Sequence, residues 1–400
     1  MANGHIGVTD LRGWGRLAFD ATLGVTAVVE GMHHNIARGP WFLDAPQGAR
    51  TRGITGLVYR SIRGITRLVG HGYDAALSRL ASTAEGVGSP ERGAVVAALN
   101  GVLGDHLVES GNPLAIPMRL RRCGQSVAVE RGALAAAYPD ATGKLLVLVH
   151  GLCASGSCWR RKGHDHGEAL ARDLGYTPVY VDYNTGLHVS ANGRAFAGLL
   201  EALVAAWPVP IDELTIVGHS MGGLVTRSAC HHAALAGQSW LRQLRNVIFL
   251  GTPHHGAPLE RGGNWVDLVL GINPYTAPLS RLGRIRSAGI TDLRHGNLVD
   301  EDWDGRDRFA RSRDVRRVVP LPQGVRCFAV AGSRARNESL ASRLAGDGIV
   351  PLESALGRHR DPSRVVPFDA DRCWIAAGVG HLDLLGDSRV YERLRGWLTS

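Results

Sequence analysis

Four hundred residues, 44% hydrophobic and 20% charged, describe a folded chain longer than one core usually takes, so a main domain with an appended region is expected. The net charge of +9 comes almost wholly from arginine, with Lys144 and Lys162 the only lysines, and the few aromatic residues are not interleaved with it, which argues against a nucleic-acid partner. No run reaches the ~18 apolar residues of a membrane span.

The first ten residues, Met1 to Asp10, lack a basic stretch leading into an apolar core. A secretory signal needs both, so the expected location is cytoplasmic or peripheral to an inner membrane surface. Residues 1–122 read as an amphipathic helical region. Arg52-Gly-Ile-Thr-Gly-Leu-Val58 returns eleven residues later as Arg63-Gly-Ile-Thr-Arg-Leu-Val69. Eleven residues close three helical turns with little drift, so both copies share a face. Ile54, Leu57, Val58, Ile62, Ile65, Leu68 and Val69 make an apolar stripe, and Arg52, Arg60, Arg63 and Arg67 lie off it. Glycines within the repeat weaken an isolated helix by about 1 kcal/mol each, so these helices need a surface to fold against. The rest of the chain, or helix against helix, is one such surface. A lipid interface is the other, and residues 10–80 are the candidate for membrane-surface association. A further helical pattern runs from Glu91 to about Glu109, and Gly111-Asn-Pro113 breaks it.

From residue 123 to 400 short apolar runs alternate with longer helical patterns, as in a parallel sheet with crossover helices. Strands are expected at Ser126–Val129, Leu145–Val149, Pro178–Val181, Leu214–Val217, Asn246–Leu250 and Cys327–Ala331, with helices near 167–174 and 192–206. The strand at Leu214 runs into Gly218-His-Ser-Met-Gly222, and a helix-compatible run leaves it. This is the G-x-S-x-G turn in its required strand-to-helix setting, which presents Ser220 as a nucleophile and aims the Met221 amide at a developing oxyanion. Six scattered cysteines form no metal-like grouping, and buried free thiols are expected.

Six landmarks, Val149-His-Gly-Leu152, Tyr183-Asn-Thr-Gly186, Gly218–Gly222, Gly251-Thr-Pro-His-His-Gly256, Gly346-Asp-Gly-Ile-Val-Pro351 and Gly380-His-Leu-Asp383, span 145–385. Together they resemble the lipase and esterase branch of the α/β-hydrolase superfamily, which includes bacterial triacylglycerol lipases and inositol-deacylase-like esterases. The resemblance implies the chain order Ser…Asp/Glu…His for nucleophile, acid and base. Asp347, between two glycines on a loop after a strand, is the expected acid; Asp302, Asp304 and Asp307 are rivals in an arginine-dense run. His381, the last histidine of the chain, is the expected base, and His359 reads as a charged surface turn. The resemblance also implies a second oxyanion donor after His150, at the backbone N–H of Leu152. The first is that of Met221.

His254 and His255 are expected to floor a substrate cleft, and His219 to pack beneath the nucleophile. Asp383 has the spacing from His381 that lipases use for a calcium ligand, but lacks a second aspartate near Cys327 and reads as well as a helix cap. No metal or cofactor is expected. An insertion at 257–318, with Trp265 and Leu268 as substrate-binding residues, is expected to cap the site. The reading is a serine carboxylic-ester hydrolase for lipid-like acyl esters. An inositol-deacylase-like or phospholipid-cleaving enzyme is its enzymatic rival, and a membrane- or granule-associated protein with a vestigial hydrolase body is the other.

Overall fold

A computed structural model describes residues 7–38, 53–81, 90–257, 287–307, 314–335 and 346–400. The chain divides into two units, Met1–Ser89 with Glu109–Leu114 and Pro90–Val108 with Ala115–Ser400. Trp265 and Leu268, with most of the expected cap, lie outside the described residues.

In the second unit the aliphatic runs become an eight-stranded sheet. Its strands are β1 (Arg119–Arg122), β2 (Gln125–Val127), β3 (Lys144–Val149), β4 (Thr177–Asp182), β5 (Glu213–His219), β6 (Leu244–Leu250), β7 (Arg326–Ser333) and β8 (Cys373–Ala377). They lie in the order β2-β1-β4-β3-β5-β6-β7-β8. β1 is antiparallel to β2 and β4, and β3 to β8 pair in parallel. This mostly parallel sheet flanked by helices is the α/β-hydrolase architecture. The strand expected first is the second; β1 precedes it, and only Leu120 of Arg-Leu-Arg-Arg is buried, which hides it from an apolar-run search.

Alternation along β3 explains the two layers. Leu145, Val147 and Val149 join a core with α6 (Val189–Ala206) and α7 (Met221–Ala236), the latter through Leu224, Val225 and Ala229. Leu146 and Leu148 face the other way, toward Leu170 of α5 (His166–Leu174) and Leu394 of the C-terminal helix Ser388–Thr399. A parallel sheet covered on both faces needs runs that are apolar throughout, which is what β3 supplies. The described α/β unit also holds α3 (Pro90–Glu109) up to Val108 and the short α4 (Arg131–Ala137).

The first unit is a pair of long helices, α1 (Val8–Arg38) and α2 (Gly53–Ala81). The seam between them carries charged pairs beside the edge-on Phe19–Tyr73 ring contact. Arg12 and Arg16 both donate to the Asp74 carboxylate, at 3.0 and 2.7 Å, and hold it well below the usual carboxylate range. Arg63 is buried on Glu30. Small residues let the helices approach: a Cβ on Gly15 would sit 2.1 Å from the Tyr73 ring, and one on Gly70 3.1 Å from Phe19. The apolar stripe points elsewhere, with Val58, Ile62, Ile65, Leu68 and Val69 all exposed. None of the described helices is long and apolar enough to cross a membrane.

Candidate active site

β5 ends at His219, and Ser220 follows in a left-handed conformation, φ 53° and ψ −124°, before α7 begins at Met221. A non-glycine residue rarely adopts such a backbone, and the surrounding packing must hold it there. The Ser220 amide donates to Leu250 O at 2.8 Å, and the Ser220 carbonyl accepts from Gly223 at 3.1 Å. The glycines of the motif are needed by close approach. A Cβ on Gly222 would lie 2.3 Å from Val149 O, and one on Gly218 would lie 2.7 Å from the Gly223 backbone. The Met221 N–H is the first of a helix, a position with no intrahelical acceptor, at the positive end of the helix dipole.

The loop after β3 lies against the same turn. A Cβ on Gly151 would be 2.9 Å from the Ser220 Cβ, so the chain carrying Leu152 passes directly beside the serine. Cys153 then turns left-handed at φ 56° and donates its amide to Thr185 Oγ1 at 3.1 Å. Burial pushes its thiol up to about 12. Tyr183 stacks on His150 with ring centroids 4.5 Å apart and donates its hydroxyl to His150 O at 2.8 Å. Both residues come from landmarks of the sequence, and together they fix the start of the loop.

Asp347 is fully buried between Gly346 and Gly348, whose φ values of 52° and 97° make the tight loop. Its Oδ1 accepts from the amides of Ile349 and Val350 at 2.9 and 2.8 Å. Its Oδ2 accepts from His381 Nδ1 at 2.6 Å. A second tie, from the His381 amide to Asp347 O at 3.1 Å, fixes the backbone as well. With Nδ1 committed to the carboxylate, Nε2 is the imidazole nitrogen able to take a proton. Gly251, at φ 57°, makes room for the pair: a Cβ there would lie 3.1 Å from both Asp347 Oδ2 and His381 Nδ1.

The rivals are engaged elsewhere. Asp302 is buried and accepts from the amides of Leu298 and Arg317, both at 2.8 Å. His359 Nδ1 accepts from the Asp361 amide in an exposed turn. His254 is buried against Arg227 at 3.3 Å, and His255 Nε2 donates to Gly357 O. Burial, the first cause, holds His254 well below its ordinary pKa and His255 down to about 4. Asp383 starts a short 3-10 turn and does not cap it; Leu382 holds the cap position. Its carboxylate instead accepts from Lys162 Nζ at 2.8 Å.

The structure adds three supports, the first at His219, which the sequence placed beneath the nucleophile. His219 donates Nε2–H to the His381 carbonyl at 3.1 Å, and its complete burial keeps it neutral. His166 Nε2 donates to Leu384 O at 2.9 Å, behind the same loop. On α3, Gly101 abuts Cys153, whose Sγ a Cβ would meet at 2.1 Å, while Asn184 Nδ2 donates to Gly104 O at 2.9 Å. No motif announces any of these, because each partner is a backbone atom or a small residue.

A family model described as a domain of unknown function (DUF7379) matches residues 118–293, just under half of the chain. No curated protein matches the sequence. Among solved structures, the mature form of a Bacillus licheniformis lipase aligns at 19% identity over 64% of this chain and 91% of that one, with a TM-score of 0.42. An esterase from Pyrococcus furiosus aligns at 13% identity over 65% and 83%, with a TM-score of 0.37. A lipase-esterase related protein from Clostridium acetobutylicum aligns at 13% identity over 64% and 95%, with a TM-score of 0.35. Chemistry at the site of this chain is therefore read from its own side chains.

Proposed function

We propose that the chain is a serine carboxylic-ester hydrolase with Ser220 as nucleophile, His381 as general base and acid, and Asp347 as the orienting carboxylate. Two observations carry the reading: the buried 2.6 Å hydrogen bond from His381 Nδ1 to Asp347, and a serine held at positive φ where a strand meets a helix. Asp347 accepts from Nδ1–H and so selects the tautomer in which Nε2 accepts a proton.

Ser220 Oγ attacks the acyl carbonyl and its proton passes to His381 Nε2. The oxyanion is held by the amides of Met221 and Leu152, each such donor contributing roughly 3–4 kcal/mol to the transition state. Collapse breaks the bond to the leaving alkoxide, which takes the proton from Nε2. Water, deprotonated by the same nitrogen, then releases the acid and restores the serine. An apolar acyl ester is the proposed substrate class, supported by the lipase-like sequence landmarks.

A fluorophosphonate probe tests the assignment. Covalent labelling of the wild type, lost in Ser220→Ala and sharply slowed in His381→Ala, is the expected pattern. A folded wild type that resists the probe, or a label that persists in Ser220→Ala, overturns it.

A further inference from the structure

The α1–α2 pair buries charge and leaves much of its aliphatic surface uncovered. Its seam holds the Arg12/Arg16–Asp74 cluster and the Arg63–Glu30 pair beside the Phe19–Tyr73 ring contact, while nine large apolar side chains of its described residues are exposed. Those of α1 are Leu11, Trp14, Val25 and Val29; those of α2 are Val58, Ile62, Ile65, Leu68 and Val69. Val58, Ile62, Ile65 and Val69 follow the four-three-four spacing of one helix face, and Leu11, Trp14, Val25 and Val29, spaced three, eleven and four apart, share one face of α1.

The seam contacts fix where these faces point. Arg12 and Arg16 near the start of α1 meet Asp74 late in α2, and Glu30 meets Arg63, so the helices are antiparallel. At 100° per residue each apolar face lies roughly 110° behind the seam face of its own helix. An equal offset in the same rotational sense, on antiparallel helices, brings both faces to one side of the hairpin. Arg60, Arg67 and His71 are exposed on the other side of α2, where Asp20 of α1 also lies.

We infer that this side of the hairpin docks on a lipid surface, its apolar face among acyl chains and its cations at the headgroup level. The pattern of an apolar face with a terminal tryptophan, opposed by arginines, is that of a helix lying in the interface. Size separates a lipid surface from a second copy of the chain. From Leu11 to Val29 is about 27 Å of helix and from Val58 to Val69 about 17 Å, and at about 10 Å width the two faces offer roughly 440 Å². That is enough to mark an interaction patch but short of the roughly 800 Å² per partner that a stable protein interface needs. A lipid surface needs no matching shape. With neither helix able to cross a bilayer, the hairpin lies on it. The inference is independent of the ester chemistry proposed for Ser220.

Flotation of the full chain with extruded phosphatidylcholine vesicles, with and without one-third phosphatidylglycerol, is the test. The wild type is expected to float with both, more strongly with the anionic lipid, and to stay bound to phosphatidylcholine in 0.5 M salt because the apolar face drives the contact. Ile62→Gln, Ile65→Gln and Val69→Gln combined should lower the bound fraction at least tenfold with an unchanged helical circular-dichroism signal. Leu235→Gln, at an exposed leucine on α7, should leave it unchanged. Absence of flotation, binding only to anionic vesicles and only at low salt, or a dimer in lipid-free buffer that the triple variant dissociates, overturns the inference.

Discussion

Leu146 and Leu148 of β3 are sealed beneath α5, whereas Ile65 and Leu68 of α2 stand 63% and 74% exposed over a seam of Arg63, Glu30 and Asp74. The same types of side chain are sorted in opposite senses in the two units. In the α/β unit, apolar burial carries stability, and polar groups are tied to backbone atoms near the site. In the hairpin, charge-assisted pairs hold the helices together and the apolar side is left over. One unit covers its aliphatic side chains with its own helices; the other leaves many of them uncovered. The two therefore answer differently to the same kind of change.

The sharpest separation is between chemistry and docking. Ser220→Ala should lower hydrolysis of p-nitrophenyl butyrate by roughly 10⁶-fold while vesicle flotation is unchanged; loss of both together would break the comparison. Asp347→Asn should retain the fold and cost roughly 10⁴-fold in kcat, since the imidazole loses the carboxylate that orients it. Next come the two ways of holding a unit together. Leu148→Ala should destabilise the α/β unit by about 2–5 kcal/mol through lost burial and a cavity. Glu30→Gln strips the acid from buried Arg63 and should cost the hairpin about 3–5 kcal/mol, read by hydrogen exchange of α1 and α2 amides.

Acid should act on the units in sequence. Burial holds His166 neutral, with its pKa down to about 4 from an ordinary 6.5, and His219 and His254 well below theirs. Unfolded, these imidazoles take up protons, so their contribution is complete above about pH 6.5 and is lost as the pH falls toward 4. For His166 alone this is about 3 kcal/mol. Asp74 is a carboxylate depressed by Arg12 and Arg16, so the seam keeps its contribution until the pH drops below its unfolded 3.8. A melting series from pH 7 to 4 should therefore loosen the α/β unit first. The smallest effect is Ile65→Ala, which should shift hairpin stability by no more than about 0.5 kcal/mol, because nothing covers that side chain in water.

Much of the α/β unit was legible because burial on both faces leaves uninterrupted apolar runs. Leu145–Val149 and Asn246–Leu250 are strands for that reason, and Gly218 to Gly222 could be placed because each glycine answers a backbone clash. Asp347 and His381 were legible as loop residues after strands, and the structure brings them within one hydrogen bond. β1 was missed because three of its four side chains are arginines. The partner of His254 was not legible because two adjacent histidines carry no sign of the buried arginine that holds one of them. The inverted hairpin was only half visible. The eleven-residue repeat shows that a stripe exists, but which face a partner helix takes depends on where distant Asp74 and Glu30 fall.

Lysine is so scarce here that the Lys162–Asp383 pair makes the protein readable by amine chemistry. Lys144 and Lys162 are the only side-chain amines, and Lys162 reaches from the loop after β3 to the turn that follows His381. Acetylation or carbamylation at that nitrogen would erase its charge and leave Asp383 with Arg161 at 3.8 Å. An amine-reactive dye or immobilising resin is consequently not a neutral handle for this chain. Where it lands decides whether the loop carrying the imidazole keeps its outer tie.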